Sequence, residues 1–188
     1  MPFTPSPQRL QAAVAALRGG GVIACPTEAV WGLSCDPDNQ SAVSRLLALK
    51  NRPVAKGLIL VAAAESQLSF LLDELPVAQR STLSDSWPGP ATWLLPHHGR
   101  VPPWIYGDHD TVAVRVSAHP GVRALCQAWG GPLVSTSANP AGCRPAVALF
   151  QVRRYFDDHL DALLPGAVGG AGQPSVIRDL ASGKIIRA

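Results

Sequence analysis

Three cationic side chains fall within seven positions, Lys50, Arg52 and Lys56. An arginine offers phosphate or carboxylate a planar fork of donors, and a lysine offers a mobile point charge. Together they suit a triphosphate or several small anions. A plainer reading is also open: Lys50 complements the dipole at a helix end and the other two are solvated. A second constellation is Ser135-Thr136-Ser137-Ala138-Asn139. Hydroxyls and an amide at the carboxyl end of a strand stand where open α/β sheets bind ligands. The alternative is a polar turn whose side chains bond to their own backbone, although three successive hydroxyls are costly to bury unpaired. A third is Pro26-Thr27-Glu28 followed by Trp31-Gly32. Thr27 can bind a substrate there, and Trp31 can stack on a ring or wall a pocket. A turn beside a core tryptophan explains the same residues.

Other chemistries lack their marks. There is no GxSxG or HExxH motif. No GxxxxGK[ST] occurs, and GAVGGAGQ does not follow a strand and open a helix as a dinucleotide fingerprint must. Asp108-His109-Asp110 reads as a solvated loop before it reads as a metal site. Cys25, Cys35, Cys126 and Cys143 form no CxxC pair and read as buried reduced thiols. Nothing marks a covalent nucleophile.

The elements that must position these groups follow from periodicity. Residues 7–18 predict a helix with Leu10, Val14 and Leu17 on one stripe. A strand begins at Val22 and stops at Pro26. Asp38 or Asn39 caps a helix running to about Lys50. Lys50 follows Leu46 by four residues, so it shares that helix's apolar stripe and either snorkels or points into a cleft. Gly57 opens the buried strand LILVAA. Short helices are expected over 66–72 and 75–86, then a rigid turn at Trp87-Pro88-Gly89-Pro90 and the strand ATWLLP. Residues 97–110 read as an irregular loop. In 111–117, Val112, Val114 and Val116 face one way, and Thr111, Ala113, Arg115 and Ser117 the other. A face so polar, with an arginine in mid-strand, predicts a sheet surface lining a cavity. A helix over 119–129, the strand PLVSTSAN, a helix over 146–156, a glycine-rich loop over 165–174 and a terminal hairpin turning at Ser182-Gly183 complete the chain.

The 188 residues fit one domain, 1–188, and 47% hydrophobic content supplies a core. Charged residues make up 15%, so clustered ones carry more information. A net charge of +3 and a pI of about 8.9 permit nucleic-acid contact without a basic run to demand it. The N-terminus lacks signal-peptide regions, and no apolar run approaches a membrane span. A cytoplasmic protein is expected.

Lys50-x-Arg52 followed far downstream by Ser137-x-Asn139 resembles the YrdC-like family, the threonylcarbamoyl-AMP synthases. PTEAVWGL, LKNRPVAKGLIL, WPGPATW, TVAVRV, PLVSTSAN and PSVIRD extend the resemblance over roughly residues 21 to 187. The length resembles the single-domain bacterial form called TsaC. The resemblance implies an α/β fold: a twisted, open mixed sheet flanked by helices, with a deep, positively charged cavity. It implies that L-threonine, bicarbonate and ATP give threonylcarbamoyl-adenylate and pyrophosphate, with Mg²⁺ accompanying ATP and no dedicated protein metal site. The product then serves tRNA modification by the TsaD, TsaB and TsaE proteins, and direct tRNA contact is possible.

By the same resemblance, Thr27, Arg115 and Ser175 meet threonine, with Arg115 on its carboxylate and Ser135 assisting. Lys50 and Arg52 meet phosphate and bicarbonate oxygens and carry the catalysis. Ser137 and Asn139 bind nucleotide phosphates, and Arg187 lies near the nucleotide. Trp31 replaces the more usual Tyr or Phe, PAG follows Asn139 where LSG is common, and Val176 follows Ser175 where many members have Thr. Two other readings compete: a module for structured RNA, and a paralogue that uses the same cavity for another substrate.

Overall fold

The computed structural model describes residues 5–173 and 175–187. In chain order the elements are α1 (Pro7–Arg18), β1 (Ile23–Pro26), β2 (Trp31–Ser34), α2 (Gln40–Lys50), β3 (Ile59–Ala62), α3 (Ser69–Leu72), α4 (Val77–Ser86) and β4 (Ala91–Pro96). Then follow α5 (Pro103–Tyr106), β5 (Thr111–Val116), α6 (Pro120–Trp129), β6 (Leu133–Ser137), α7 (Leu149–Phe156), β7 (Ala162–Leu163), β8 (Val176–Asp179) and β9 (Ile185–Arg187). Among the described residues the strands form one mixed sheet in the order β7-β1-β2-β6-β3-β5-β4-β8-β9. The parallel pairs are β1 with β7, β3 with β5, and β4 with β8.

Alternation along the central strands sends side chains to two faces. Leu60, Ala62, Val114 and Val134 join a core with Leu46, Trp31 and Leu33. Ile23, Cys25, Val61 and Leu133 meet Val14 and Leu17 of α1 and Val122 and Leu125 of α6 on the opposite face. Those two helices cover only part of that face. Ile59 pairs with Ala113 on one side and with Ser135 on the other, and all three lie beyond the helices and border a cavity. One sheet face is therefore core at one end and cavity wall at the other, which is what the small and polar side chains of β5 and β6 require.

Local signals explain most element ends. Asn39 caps α2 by accepting a hydrogen bond from the Ala42 amide, and Asn51 ends it in the left-handed conformation. Gly183 sits in the turn between β8 and β9 with a positive φ of 70°. Three expectations change. Residues 31–34, assigned no strand from sequence, form β2, a strand buried along its length between β1 and β6, while the turn beside a core Trp31 is present over residues 27–30. Residues 97–110 are not wholly irregular, since α5 supplies one helical turn. The helix expected from 146 begins at Leu149. Of the glycine-rich loop expected over 165–174, Pro174 lies outside the described residues.

Candidate active site

A cavity of about 370 Å³ opens beside the carboxyl end of β1 and the uncovered face of β3, β5 and β6. Among the described residues four cationic side chains border it, Arg52, Lys56, Arg115 and Arg187, against one carboxylate, that of Glu28. The imbalance of formal charge suits polyanionic guests.

One end is internally bonded. Thr27 closes the β1–β2 turn, its hydroxyl donating to the Val30 carbonyl at 2.8 Å. Glu28 is buried, at 7% exposure. Its Oε1 accepts from the Ser117 hydroxyl at 2.7 Å and from the Ala118 amide at 3.2 Å. Its Oε2 lies 3.7 Å from the Arg115 guanidinium. The Ser175 and Thr92 hydroxyls share a hydrogen bond of 2.8 Å. The glycine-rich loop is fastened to the same turn, because the Gly169 amide donates to Thr27 O and the Ala171 amide to Glu28 O, both at 2.9 Å. A side chain at Gly169 would crowd the Glu28 backbone at 3.1 Å, so the loop's close approach depends on that glycine.

Toward Arg52 and Lys56 the lining carries cations and, among the described residues, no carboxylate, and Arg187 links this part to the first by donating to the Ser175 carbonyl at 3.3 Å. Arg52 donates to the Gly57 carbonyl at 2.8 Å, while its Nε is buried with no partner. Burial, and then the neighbouring Arg187, push the Arg52 guanidinium below its ordinary pKa. Burial and Arg115 do the same to Arg187. These like charges oppose one another across the cavity, a condition that an anion between them relieves.

Of the residues assigned from sequence, Thr27, Arg52, Arg115, Ser135, Ser137, Ser175 and Arg187 line the cavity. Lys50 and Asn139 do not border it. Lys50 is 4% exposed and its ammonium donates to the Ser137 carbonyl and, at 2.8 Å, to the Asn139 carbonyl. The Ala141 amide returns a hydrogen bond to Lys50 O at 2.7 Å. Lys50 thus joins Ser137 and Asn139 from beneath their turn, whereas Arg52 bonds to the Lys56 and Gly57 carbonyls instead. Burial, and then Arg52, lower the Lys50 ammonium from 10.5 to about 8. Asn139 donates to the carbonyls of Pro140 and Cys143 and leaves its buried Oδ1 unpartnered.

Trp31 neither stacks in nor walls the cavity. It is 1% exposed and belongs to the core. Cys25, Cys35 and Cys126 are buried, whereas Cys143 is exposed. Burial raises the Cys25 thiol to about 11 and the Cys35 thiol to about 12, so neither is poised as a nucleophile. Sequence reasoning missed Thr92, which backs Ser175, and His109, which borders the cavity. Thr92 lies in the stretch WPGPATW and His109 in Asp108-His109-Asp110, but neither was given a role at a binding site. It also left Glu28 without a role, although a lone acid between an apolar strand and a tryptophan was a usable signal.

A family model for Sua5, YciO and YrdC proteins, described as telomere recombination, matches residues 15–188. The chain belongs to this family. A protein of Stutzerimonas stutzeri named threonylcarbamoyl-AMP synthase is 59% identical over 179 residues, covering 95% of this chain and 96% of that one. The structure of Pyrococcus abyssi Sua5 (P. abyssi) complexed with L-threonine superposes with a TM-score of 0.86 at 32% identity, over 94% of this chain. This chain spans about half of Sua5, 52%. Escherichia coli YciO (E. coli) superposes with a TM-score of 0.86 at 25% identity, over 99% of this chain and 91% of that one. The open mixed α/β sheet flanked by helices is thus the fold of this family.

Proposed function

We propose that this chain is a threonylcarbamoyl-AMP synthase, a nucleotidyltransferase that makes L-threonylcarbamoyladenylate and pyrophosphate from L-threonine, bicarbonate and ATP. The observation that carries the reading is one cavity in which Arg115, with hydroxyls around it, adjoins a cluster of further cations, Arg52, Lys56 and Arg187. A relative 59% identical over nearly the whole chain bears that enzyme's name, and a structural relative binds L-threonine.

Threonine's amine combines with bicarbonate to give a carbamate and water. A carbamate oxygen attacks the α-phosphorus of ATP, and pyrophosphate leaves. Every reactant carries negative charge, so the protein's work is to suppress repulsion and align the attack. Arg115 takes the threonine carboxylate, with Thr27, Ser135 and Ser175 around it. Arg52, Lys56 and Arg187 take phosphate and bicarbonate oxygens, and Ser137 the nucleotide. Lys50 and Asn139 hold the turn that presents Ser137. Among the described residues no group of three or more His, Cys, Asp or Glu could hold a metal ion. Mg²⁺ would enter on the triphosphate and shield the departing pyrophosphate.

The product would pass to TsaD, TsaB and TsaE proteins for tRNA modification, which places the reaction in the cytoplasm. Among the described residues no helix is long and apolar enough to cross a membrane. The test is pyrophosphate release by the purified protein. Release only when ATP, L-threonine and bicarbonate are all present is expected. Release without threonine, or none, contradicts the reading.

A further inference from the structure

We infer that Glu28 is the positioning residue of the amino-acid end: it orients the Arg115 guanidinium toward the carboxylate of an α-amino acid. The inference rests on the proposed function and adds to it the residue that sets the geometry of the threonine clamp. Glu28 and Arg115 are both buried and face each other across 3.7 Å, yet the ion pair is incomplete. Among the described residues, Glu28 Oε2 and Arg115 Nε each lack a hydrogen-bond partner. Two buried charges with unsatisfied polar atoms are costly for a purely structural pair.

The other oxygen of Glu28 is fixed. Oε1 receives Ser117 Oγ at 2.7 Å and the Ala118 amide at 3.2 Å. Ser117 is fully buried, and its own amide donates to Ala62 O at 3.0 Å. The carboxylate is therefore anchored to the end of β5, the strand that carries Arg115. One oxygen locks the carboxylate, and the other faces the guanidinium without fully engaging it. Such an arrangement fixes where the guanidinium sits while leaving donors for an incoming carboxylate. The backbone of the same residue holds the glycine-rich loop through Ala171. Glu28 thus joins three segments that border the amino-acid end: the β1–β2 turn, β5, and the loop leading toward Ser175.

The test is steady-state kinetics of Glu28→Gln, which keeps the shape and the Oε1 acceptor and removes the charge. KM for threonine should rise about tenfold or more, while KM for ATP stays within about twofold and kcat at saturating threonine within about threefold. In a cycle with Arg115→Ala, the double variant should be no worse than Arg115→Ala alone, because Glu28 acts through that arginine. Equal rises in both KM values together with a lowered Tm would mean a structural role and overturn the inference, as would an unchanged threonine KM or additive losses. If Glu28→Gln does not fold, Ser117→Ala carries the same test. It removes one support of the carboxylate, and the threonine KM should rise about threefold with the ATP KM unmoved. No change overturns the inference. Calorimetry with L-threonine separates the two failures. A wild-type protein that binds no threonine defeats both the synthase reading and the role of Glu28. Equal threonine binding by wild type and Glu28→Gln defeats the role of Glu28 alone.

Discussion

The two ends of the cavity solve opposite problems. At the amino-acid end Arg115 has a carboxylate beside it, and Ser175 has Thr92 behind it. At the proposed phosphate end Arg52 has, among the described residues, backbone carbonyls alone as hydrogen-bond partners, and the charged neighbour that perturbs it is another arginine. The first end is organised before substrate arrives; the second is held in mutual repulsion and gains most when an anion fills it. A small zwitterion needs shape and direction, and a triphosphate needs unspent positive charge. On the proposed reading a single cavity would supply both, because two separate parts of the chain, the β1–β2 turn with β5 and the segment after α2 with β9, meet over the same uncovered sheet face.

The contrast is broken most directly at Arg52. Arg52→Ala should lower turnover by roughly 10- to 150-fold, the equivalent of about 1.5–3 kcal/mol for a charge-assisted contact, with an unchanged far-ultraviolet circular dichroism spectrum. Loss of activity only through unfolding would remove Arg52 from the phosphate end.

Lys50 sharpens the comparison because it serves neither end directly. Lys50→Ala should strip the charged donor from two carbonyls and destabilise the fold by about 1.5–3 kcal/mol, a Tm fall of roughly 3–12 °C for a chain of this size. An unchanged Tm with lost turnover would return Lys50 to a ligand-binding role. Its pH dependence has a definite sign. The folded-state value near 8 lies below the ordinary 10.5, so between those values the unfolded chain holds the proton more firmly. Stability of the wild type relative to Lys50→Met should therefore rise as pH goes from 8 to 10.5. A fall over that window in urea titrations would show that the ammonium form is the one favoured by folding.

A third expectation uses the repulsion at the phosphate end. Pyrophosphate at about a hundred times its Kd should stabilise the wild type by about 2.7 kcal/mol in a thermal scan, and clearly less in Arg187→Ala at the same concentration. Equal stabilisation of the two proteins would move the anion away from Arg187. The smallest effect belongs to the organised end. Thr92→Val leaves Ser175 without its partner and should cost about 1 kcal/mol, seen in urea denaturation, with a modest rise in threonine KM.

Legibility in the sequence followed burial pattern. The cavity wall was readable in β5, because alternation placed Ala113 and Arg115 opposite three valines. The hydroxyls of β6 were readable for the same reason. Strand β2 was hidden, since both faces of 31–34 are buried and a strand of that kind shows no alternation. Its Gly32 also reads as a turn, yet a side chain there would meet the Thr27 methyl at 3.1 Å. Lys50 was correctly placed on the apolar stripe of its helix. Spacing leaves open whether such a lysine enters a cleft or fastens a neighbouring turn, because the turn in question lies 87 residues away. Thr92 and Glu28 act through partners equally remote, Ser175 and Ser117, and although the setting of Glu28 singles it out, no local pattern encodes either partner.

The central claim is that one cavity holds an amino acid and a triphosphate at separate ends. A crystal structure with L-threonine and a non-hydrolysable ATP analogue tests it most directly. The threonine carboxylate should lie about 2.7–2.9 Å from the Arg115 guanidinium, with phosphate oxygens against Arg52 and Arg187. Phosphates on Arg115, or threonine among Arg52 and Arg187, would contradict the account.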